Sequence, residues 1–244
     1  MFDFFKKNKK HSLIESGILL GATDVHCHIL PHVDDGSPDY VTSIKLLQFL
    51  KQLGYQEVWF TPHSMEDLPL NTADYLKQNL EEFLKQYSGP MKLHVASEYM
   101  MDGKFLPMLQ EDKVLPLGTK KHLLVETSYY CGPENLMEIL DEVVKKGYTP
   151  VIAHPERYMY MEWPDYVKLK DCGYEFQMNL NSLSGYYGHR EEDICLDLLA
   201  NGMYNYAGTD IHHLGNYCNY LEDIKLEAHV LDNVAYLLSQ NKTL

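Results

Sequence analysis

Seven short apolar runs, each the length of a strand and most followed by a helical pattern, do most to limit what this chain of 244 residues can become. They lie at 18–22, 57–60, 91–97, 123–125, 149–153, 174–180 and 204–207. Between them, apolar residues recur at helical spacing: Val41, Ile44, Leu47 and Leu50 before a stop at Gly54, then Tyr75, Leu76, Leu80 and Phe83 within 72–86. Further helical patterns follow at 105–110, 133–146, 164–171, 190–201 and 228–238. Strands alternating with helices predict a parallel sheet, closed or nearly closed into a barrel.

Six of the seven runs lead into His, Glu or Asp: His26 and His28, His63, Glu98, Glu126, His154, and Asp210 with His212. An extended backbone sends residues i and i+2 to one face, so His26 and His28 can meet one ion. In a parallel barrel the strand ends share a rim, which brings together groups scattered over much of the sequence. A carboxylate such as Glu98, delivered by the apolar stretch before it, is costly to bury unless a cation receives it. Mixed imidazole and carboxylate ligands without thiolate suit Mn²⁺, Fe²⁺ or Zn²⁺, and so many ligands call for two ions or more.

Composition narrows the function classes. A formal charge of −14 argues against nucleic acid as a partner, because phosphate-backbone binding needs clustered Lys and Arg. A phosphate substrate then needs local positive charge, most simply from bound metal. The five cysteines (Cys27, Cys131, Cys172, Cys195, Cys218) contain no C-x-x-C pair, which disfavours a disulfide framework or structural zinc and suits a reducing cytoplasm. With neither an apolar stretch long enough to span a membrane nor a signal-peptide pattern, a cytoplasmic protein is expected. One domain over 21–244 is expected after an extension, 1–20. Residues 2–10 combine Phe2, Phe4 and Phe5 with four lysines, a composition suited to weak contact with an anionic membrane surface or to a tail packed on the barrel floor.

The motifs Asp24-x-His26-Cys27-His28, Asp34-Asp35-Gly36, Thr61-Pro62-His63, Ser97-Glu98, Val125-Glu126, His154-Pro155-Glu156-Arg157 and Thr209-Asp210-Ile211-His212 resemble the polymerase and histidinol phosphatase (PHP) superfamily. Within it they are most similar to the capsule-type, CpsB/YwqE-like bacterial tyrosine phosphatases. The resemblance covers Asp24 to His212 in the family's motif order. It implies a distorted (β/α)7 TIM-like barrel of the PHP type and hydrolysis of a phosphotyrosine ester by water that metal ions acidify. It also implies three divalent ions, Mn²⁺ before Fe²⁺, Zn²⁺ or Mg²⁺. One would be held by His26, His28, Glu98 and Asp210, a second by Glu98, Glu126 and His154, and a third by Asp35, His63 and His212. Asp34 is the alternative to Asp35, with spacing from His28 favouring Asp35.

Arg157 follows the His154 ligand and is the expected catalytic grip on phosphate oxygens. The implied partner is a phosphotyrosine protein, a membrane-associated bacterial tyrosine kinase in capsule or exopolysaccharide synthesis. One departure stands out: family members carry another Arg shortly after D-x-H, where this chain has His213-Leu214-Gly215-Asn216-Tyr217, leaving Arg190 or a Lys as substitutes. A histidinol-phosphate or other small-metabolite phosphatase is the enzymatic rival. A metal-dead binding barrel is the non-enzymatic one.

Overall fold

The computed structural model describes residues 9–119 and 121–244. In chain order the strands are β1 (Lys10–Ser12), β2 (Thr23–Asp24), β3 (Glu57–Phe60), β4 (His63–Ser64), β5 (Lys92–Val95), β6 (Glu98–Met100), β7 (His122–Glu126), β8 (Thr149–Ala153), β9 (Glu175–Asn179), β10 (Tyr206–Gly208) and β11 (Lys225–Glu227). The helices are α1 (Tyr40–Leu53), α2 (Ala73–Gln86), α3 (Phe105–Gln110), α4 (Leu136–Lys145), α5 (Trp163–Asp171), α6 (His189–Ala200), α7 (Asn216–Glu222) and α8 (Ala228–Gln240). Local chemistry accounts for several boundaries. The Asp39 side chain accepts from Thr42 N at 2.7 Å to start α1, and Gly54 ends it at φ 112°, a conformation that favours glycine. All five residues of β7 are buried, as expected of a central parallel strand covered on both faces.

Six strands form one sheet in the order β10-β9-β8-β7-β6-β4, and three form another, β2-β3-β5, with parallel pairing throughout. The two are successive stretches of one curled surface. Thr61-Pro62 separates β3 from β4 and Ala96-Ser97 separates β5 from β6, because Pro62 has no N–H for the ladder. The Pro62 carbonyl instead accepts from Glu98 N at 3.2 Å and Ser97 Oγ at 2.9 Å. Glu98 therefore opens β6 in register with His63, where the sequence pattern puts it at the end of a strand. At the other edge, Cys27 bridges to Ile211, and Asp210 N donates to the His26 carbonyl at 2.7 Å.

The apolar run 18–22 is not a strand. Gly17 and Gly21 take φ of 78° and 73° and turn the chain there, leaving only Thr23–Asp24 as β2. Residues 10–20, expected within an extension, contribute to the fold: β1 pairs antiparallel with β11, and Leu13 and Leu19 are completely buried. That pair and α7 have no counterpart in the sequence pattern. Most of the segment 2–10, considered for membrane contact, lies outside the described residues.

Candidate active site and metal centre

All nine expected ligand residues converge on one side of the parallel sheet, with His63 and Glu98 opening β4 and β6, Glu126 ending β7 and the others in the segments after strands. His26 and His28 follow β2, and their ring orientations are set by partners that the sequence alone did not point to. His26 Nδ1 meets Gln177 Oε1 on β9 at 2.7 Å, and His28 Nδ1 meets Asp34 Oδ2 at 2.7 Å. Each acceptor keeps the ring proton on Nδ1, which leaves both Nε2 lone pairs facing the same space.

Around that space, His26 Nε2 lies 3.2 Å from Glu98 Oε2, 3.3 Å from Asp210 Oδ1 and 3.2 Å from His28 Nε2. His28 Nε2 is 3.3 Å from Glu98 Oε2 and 3.4 Å from Asp210 Oδ1. The ligand atoms of His26, His28 and Glu98 all lie within 4.8 Å of one another, as do those of His26, His154 and Asp210, so each set can close on a divalent ion at bond lengths of roughly 2.0–2.4 Å. The side chains of His26, His28, Glu98 and Asp210 are buried, and Glu98 Oε2 has no hydrogen-bond partner. Four acceptors converging out of reach of water are stable only around a cation. The residues present fit a metal ion.

The electrostatics agree. Burial opposes ionisation of Glu98, yet His26 and His63 hold its carboxyl well below the usual range, and His26 does the same for Asp210. Burial likewise opposes charge on His26 and His28, and the surrounding carboxylates override it in both. The pocket thus attracts positive charge. Protons supply it poorly, since a second proton on each ring would set two N–H groups face to face at 3.2 Å.

Two further groupings adjoin the first. His154 Nε2 is 3.0 Å from Glu98 Oε1 and 3.9 Å from Glu126 Oε2. His63 Nε2 and His212 Nε2 each lie 3.6 Å from Asp35 Oδ1. His212 donates through Nδ1 to the Asp210 carbonyl at 2.9 Å, while burial, with His28 nearby, lowers its pKa to about 4, so its Nε2 lone pair is available. His63 also presents Nδ1 to Glu126 Oε1 at 2.8 Å and Glu98 Oε2 at 3.1 Å, which sets it between the second and third groupings. Asp34 and Asp35 divide the work. The Asp34 side chain is buried, binds His28 and accepts from His63 N and Gly36 N, and His28 brings its pKa to about 2 against the effect of burial. Asp35 is 73 % exposed and faces the two histidines.

Two glycines let these segments approach closely. A Cβ on Gly208 would stand 2.6 Å from His26 Cβ, and one on Gly36 would collide with the His28 carbonyl. Asp24 ties β2 to the segment after β10, accepting from Thr209 N at 2.9 Å and Thr209 Oγ1 at 2.6 Å.

The centre opens into a cleft of about 500 Å³ lined by Asp35, His63, His212, Arg157 and several tyrosines. Arg157 Nη1 bonds Asp210 Oδ2 at 3.0 Å, and Asn179 Nδ2 donates to the same oxygen at 2.7 Å. Among the described residues that line the cleft, Arg157 is the one Lys or Arg. Arg190, weighed as a substitute for the second family arginine, does not line it and donates to the Tyr158 carbonyl at 3.2 Å.

Sequence reasoning missed Gln177, Asn179 and the orienting role of Asp34. The signal for the first two was present: polar residues two apart on a strand whose flanking positions, Phe176 and Met178, are wholly buried.

A family profile described as capsular polysaccharide synthesis, CpsB/CapC, matches residues 22–226. The chain is 27% identical over 228 residues to the tyrosine-protein phosphatase YwqE of Bacillus subtilis (strain 168), covering 91% of this chain and 90% of that one. It is 25% identical over 142 residues to the tyrosine-protein phosphatase CpsB of Streptococcus pneumoniae, covering 57% and 58%. A solved structure from work on YwqE from Bacillus subtilis and CpsB from Streptococcus pneumoniae, described as unique metal-dependent tyrosine phosphatases, superposes with a TM-score of 0.80 at 24% identity, covering 91% of this chain and 93% of that one. The mixed α/β fold with its curled parallel sheet is therefore shared with that structure, and the chain belongs to the CpsB/CapC family of capsular polysaccharide synthesis.

Proposed function

We propose that this chain is a metal-dependent phosphotyrosine-protein phosphatase acting in capsule or exopolysaccharide synthesis. The observation that carries the reading is the buried cluster of His26, His28, Glu98 and Asp210, in which each imidazole Nε2 lies 3.2–3.4 Å from an oxygen of both acids, with Arg157 bonded to the outer oxygen of Asp210. The names of the relatives support the substrate class. The fold that goes with this function is a distorted (β/α)7 barrel of the PHP type, supported by the Cys27–Ile211 bridge between the first and last strand segments.

In this reading three divalent ions, manganese first among them, are held by the three groupings. His26, His28, Glu98 and Asp210 hold one; Glu98, Glu126 and His154 a second; Asp35, His63 and His212 a third. Such ions supply Lewis acidity toward phosphoryl oxygens and make water acidic enough to attack at neutral pH. The chain's own residues do the rest. Glu98 offers one oxygen to the first grouping and the other to the second, so it fixes their separation. Arg157, fully charged and directed into the cleft, binds the phosphate oxygens that do not react and stabilises charge gained in the transition state. A departing tyrosine phenol has pKa ~10 and leaves without strong help from an acid.

The partner that this reading names is a membrane-associated bacterial tyrosine kinase. No helix among the described residues is long and apolar enough to cross a membrane; the aromatic and lysine composition of residues 2–10 is what suits weak contact with an anionic membrane surface. Phosphate release by the Mn²⁺-loaded protein from a phosphotyrosine peptide, a phosphoserine peptide and histidinol phosphate tests the reading. Phosphotyrosine should be preferred and a chelator should stop turnover. Faster hydrolysis of histidinol phosphate would assign a small-metabolite phosphatase, and an ion-free, inactive protein after Mn²⁺ addition would assign a binding barrel. Equal sedimentation with anionic vesicles after deleting residues 2–10 would dismiss the membrane contact.

A further inference from the structure

Among the described residues that line the cleft Arg157 is the one Lys or Arg, which makes the aim of its guanidinium decisive. The Arg157 guanidinium carbon lies 4.2 Å from the ring centroid of Tyr129 and 4.1 Å from that of Tyr187. Tyr129 follows β7 and Tyr187 precedes α6, so the rings reach Arg157 from different parts of the barrel rim. Both rings are themselves held. Tyr129 is stacked on buried Tyr158 at 6.4 Å, and the Tyr187 hydroxyl accepts from Asn179 Nδ2 at 2.9 Å. The same Asn179 amide binds Asp210 Oδ2, the oxygen that also receives Arg157.

We propose that Tyr129 and Tyr187 are positioning residues that clamp Arg157 between two aromatic rings, so that it meets a phosphate by its free edge alone. With two rings and Asp210 as neighbours, a guanidinium has its remaining N–H groups in its own plane, the geometry for bidentate contact with an anion. In water a lone arginine samples many rotamers, and the clamp removes that freedom before substrate arrives. The proposal deepens the phosphatase reading and rests on it.

The test is a double-mutant cycle read on kcat, KM, metal content and the binding of inorganic phosphate by calorimetry. Tyr129→Leu and Tyr187→Leu should each lower kcat/KM roughly ten-fold with metal content unchanged, while Tyr129→Phe and Tyr187→Phe, which keep the ring, stay within about three-fold. In an Arg157→Ala background the Leu substitutions should cost about two-fold or less, because the residue they act through is gone. Equal losses in both backgrounds would overturn the clamp, as would Phe variants as weak as the Leu variants or variants that lose metal. If the parent hydrolyses no phosphotyrosine peptide, the phosphatase reading fails, and the same cycle on inorganic phosphate binding still decides the clamp.

Discussion

Gln177→Leu is the sharpest probe of how the centre is held, because the residue should touch no ion yet should decide whether His26 can. The Gln177 side-chain carbonyl accepts the His26 Nδ1 proton at 2.7 Å in a fully buried setting, and leucine of similar volume removes that acceptor. His26 then either keeps its proton on Nδ1 without a partner or moves it to Nε2, which closes the atom aimed at Glu98 and Asp210. An unsatisfied buried donor costs about 1–3 kcal/mol. At 1.4 kcal/mol per decade this is roughly 5- to 150-fold in affinity, within the range typical of partners that orient metal-bound histidines. Titrating Mn²⁺ into metal-free protein by calorimetry should therefore show weaker binding at one site by about 10–100-fold, with turnover largely recovered at saturating Mn²⁺. Gln177→Glu keeps an acceptor at the same place and should bind the ion far better than Gln177→Leu. Unchanged affinity in the Leu variant, or a Glu variant equally impaired, would refute the tautomer argument.

The remaining predictions are shorter. Arg157→Ala should lower kcat about 10²–10³-fold with normal metal content, measured by steady-state kinetics and metal analysis, and activity within a few-fold of the parent would remove Arg157 from the mechanism. Cys27→Ser should leave hydrolysis nearly intact, since Cys27 Sγ points away from the centre to the Trp59 carbonyl at 3.4 Å and burial pushes its thiol well up; inactivation of a folded, metal-loaded sample would demand a thiol mechanism. Chelation should lower the melting temperature, because Glu98, Asp210 and their histidines would be left buried without their cation, and an unchanged transition would mean that the cluster is stable alone. Glu175 is depressed below its ordinary value near 4.5: burial raises it, and the hydrogen bond and charge of His122 overcome that. A depressed carboxylate stabilises the fold above its unfolded pKa and loses that contribution as pH falls through the folded one, so Glu175→Gln should cost about 1 kcal/mol at pH 7 and progressively less below pH ~4 in denaturant titrations.

What could be read in the sequence follows the physics of each signal. Strand-end ligands such as Glu126 and His154 were legible because a carboxylate or imidazole after a wholly apolar run has few other uses. Helices α1, α2 and α8 were legible from periodic apolar faces, which depend on local spacing alone. The break at Thr61-Pro62 was less so: proline announced a loss of pairing, but not that the strand would resume and carry Glu98 into a new ladder opposite His63. The turn at 13–21 was hidden because buried leucines look alike in strands and in turns, and only the positive φ of Gly17 and Gly21 separates the two.

The supporting residues were harder to see for a different reason. Gln177, Asn179 and the two clamping tyrosines act through partners up to 151 positions away, as with Gln177 and His26; local alternation can mark Gln177 and Asn179 as inward polar residues, but it does not report which partner each one meets. They nevertheless determine the chemistry as much as the ligands do. Asn179 binds the Asp210 oxygen that faces Arg157, leaving Asp210 Oδ1 for His26 and His28. Arg157 shares that outer oxygen, so the phosphate grip and the metal centre are joined through a single carboxylate. A change at Asn179 should therefore disturb metal binding and phosphate binding together, whereas a change at Tyr129 should disturb phosphate alone.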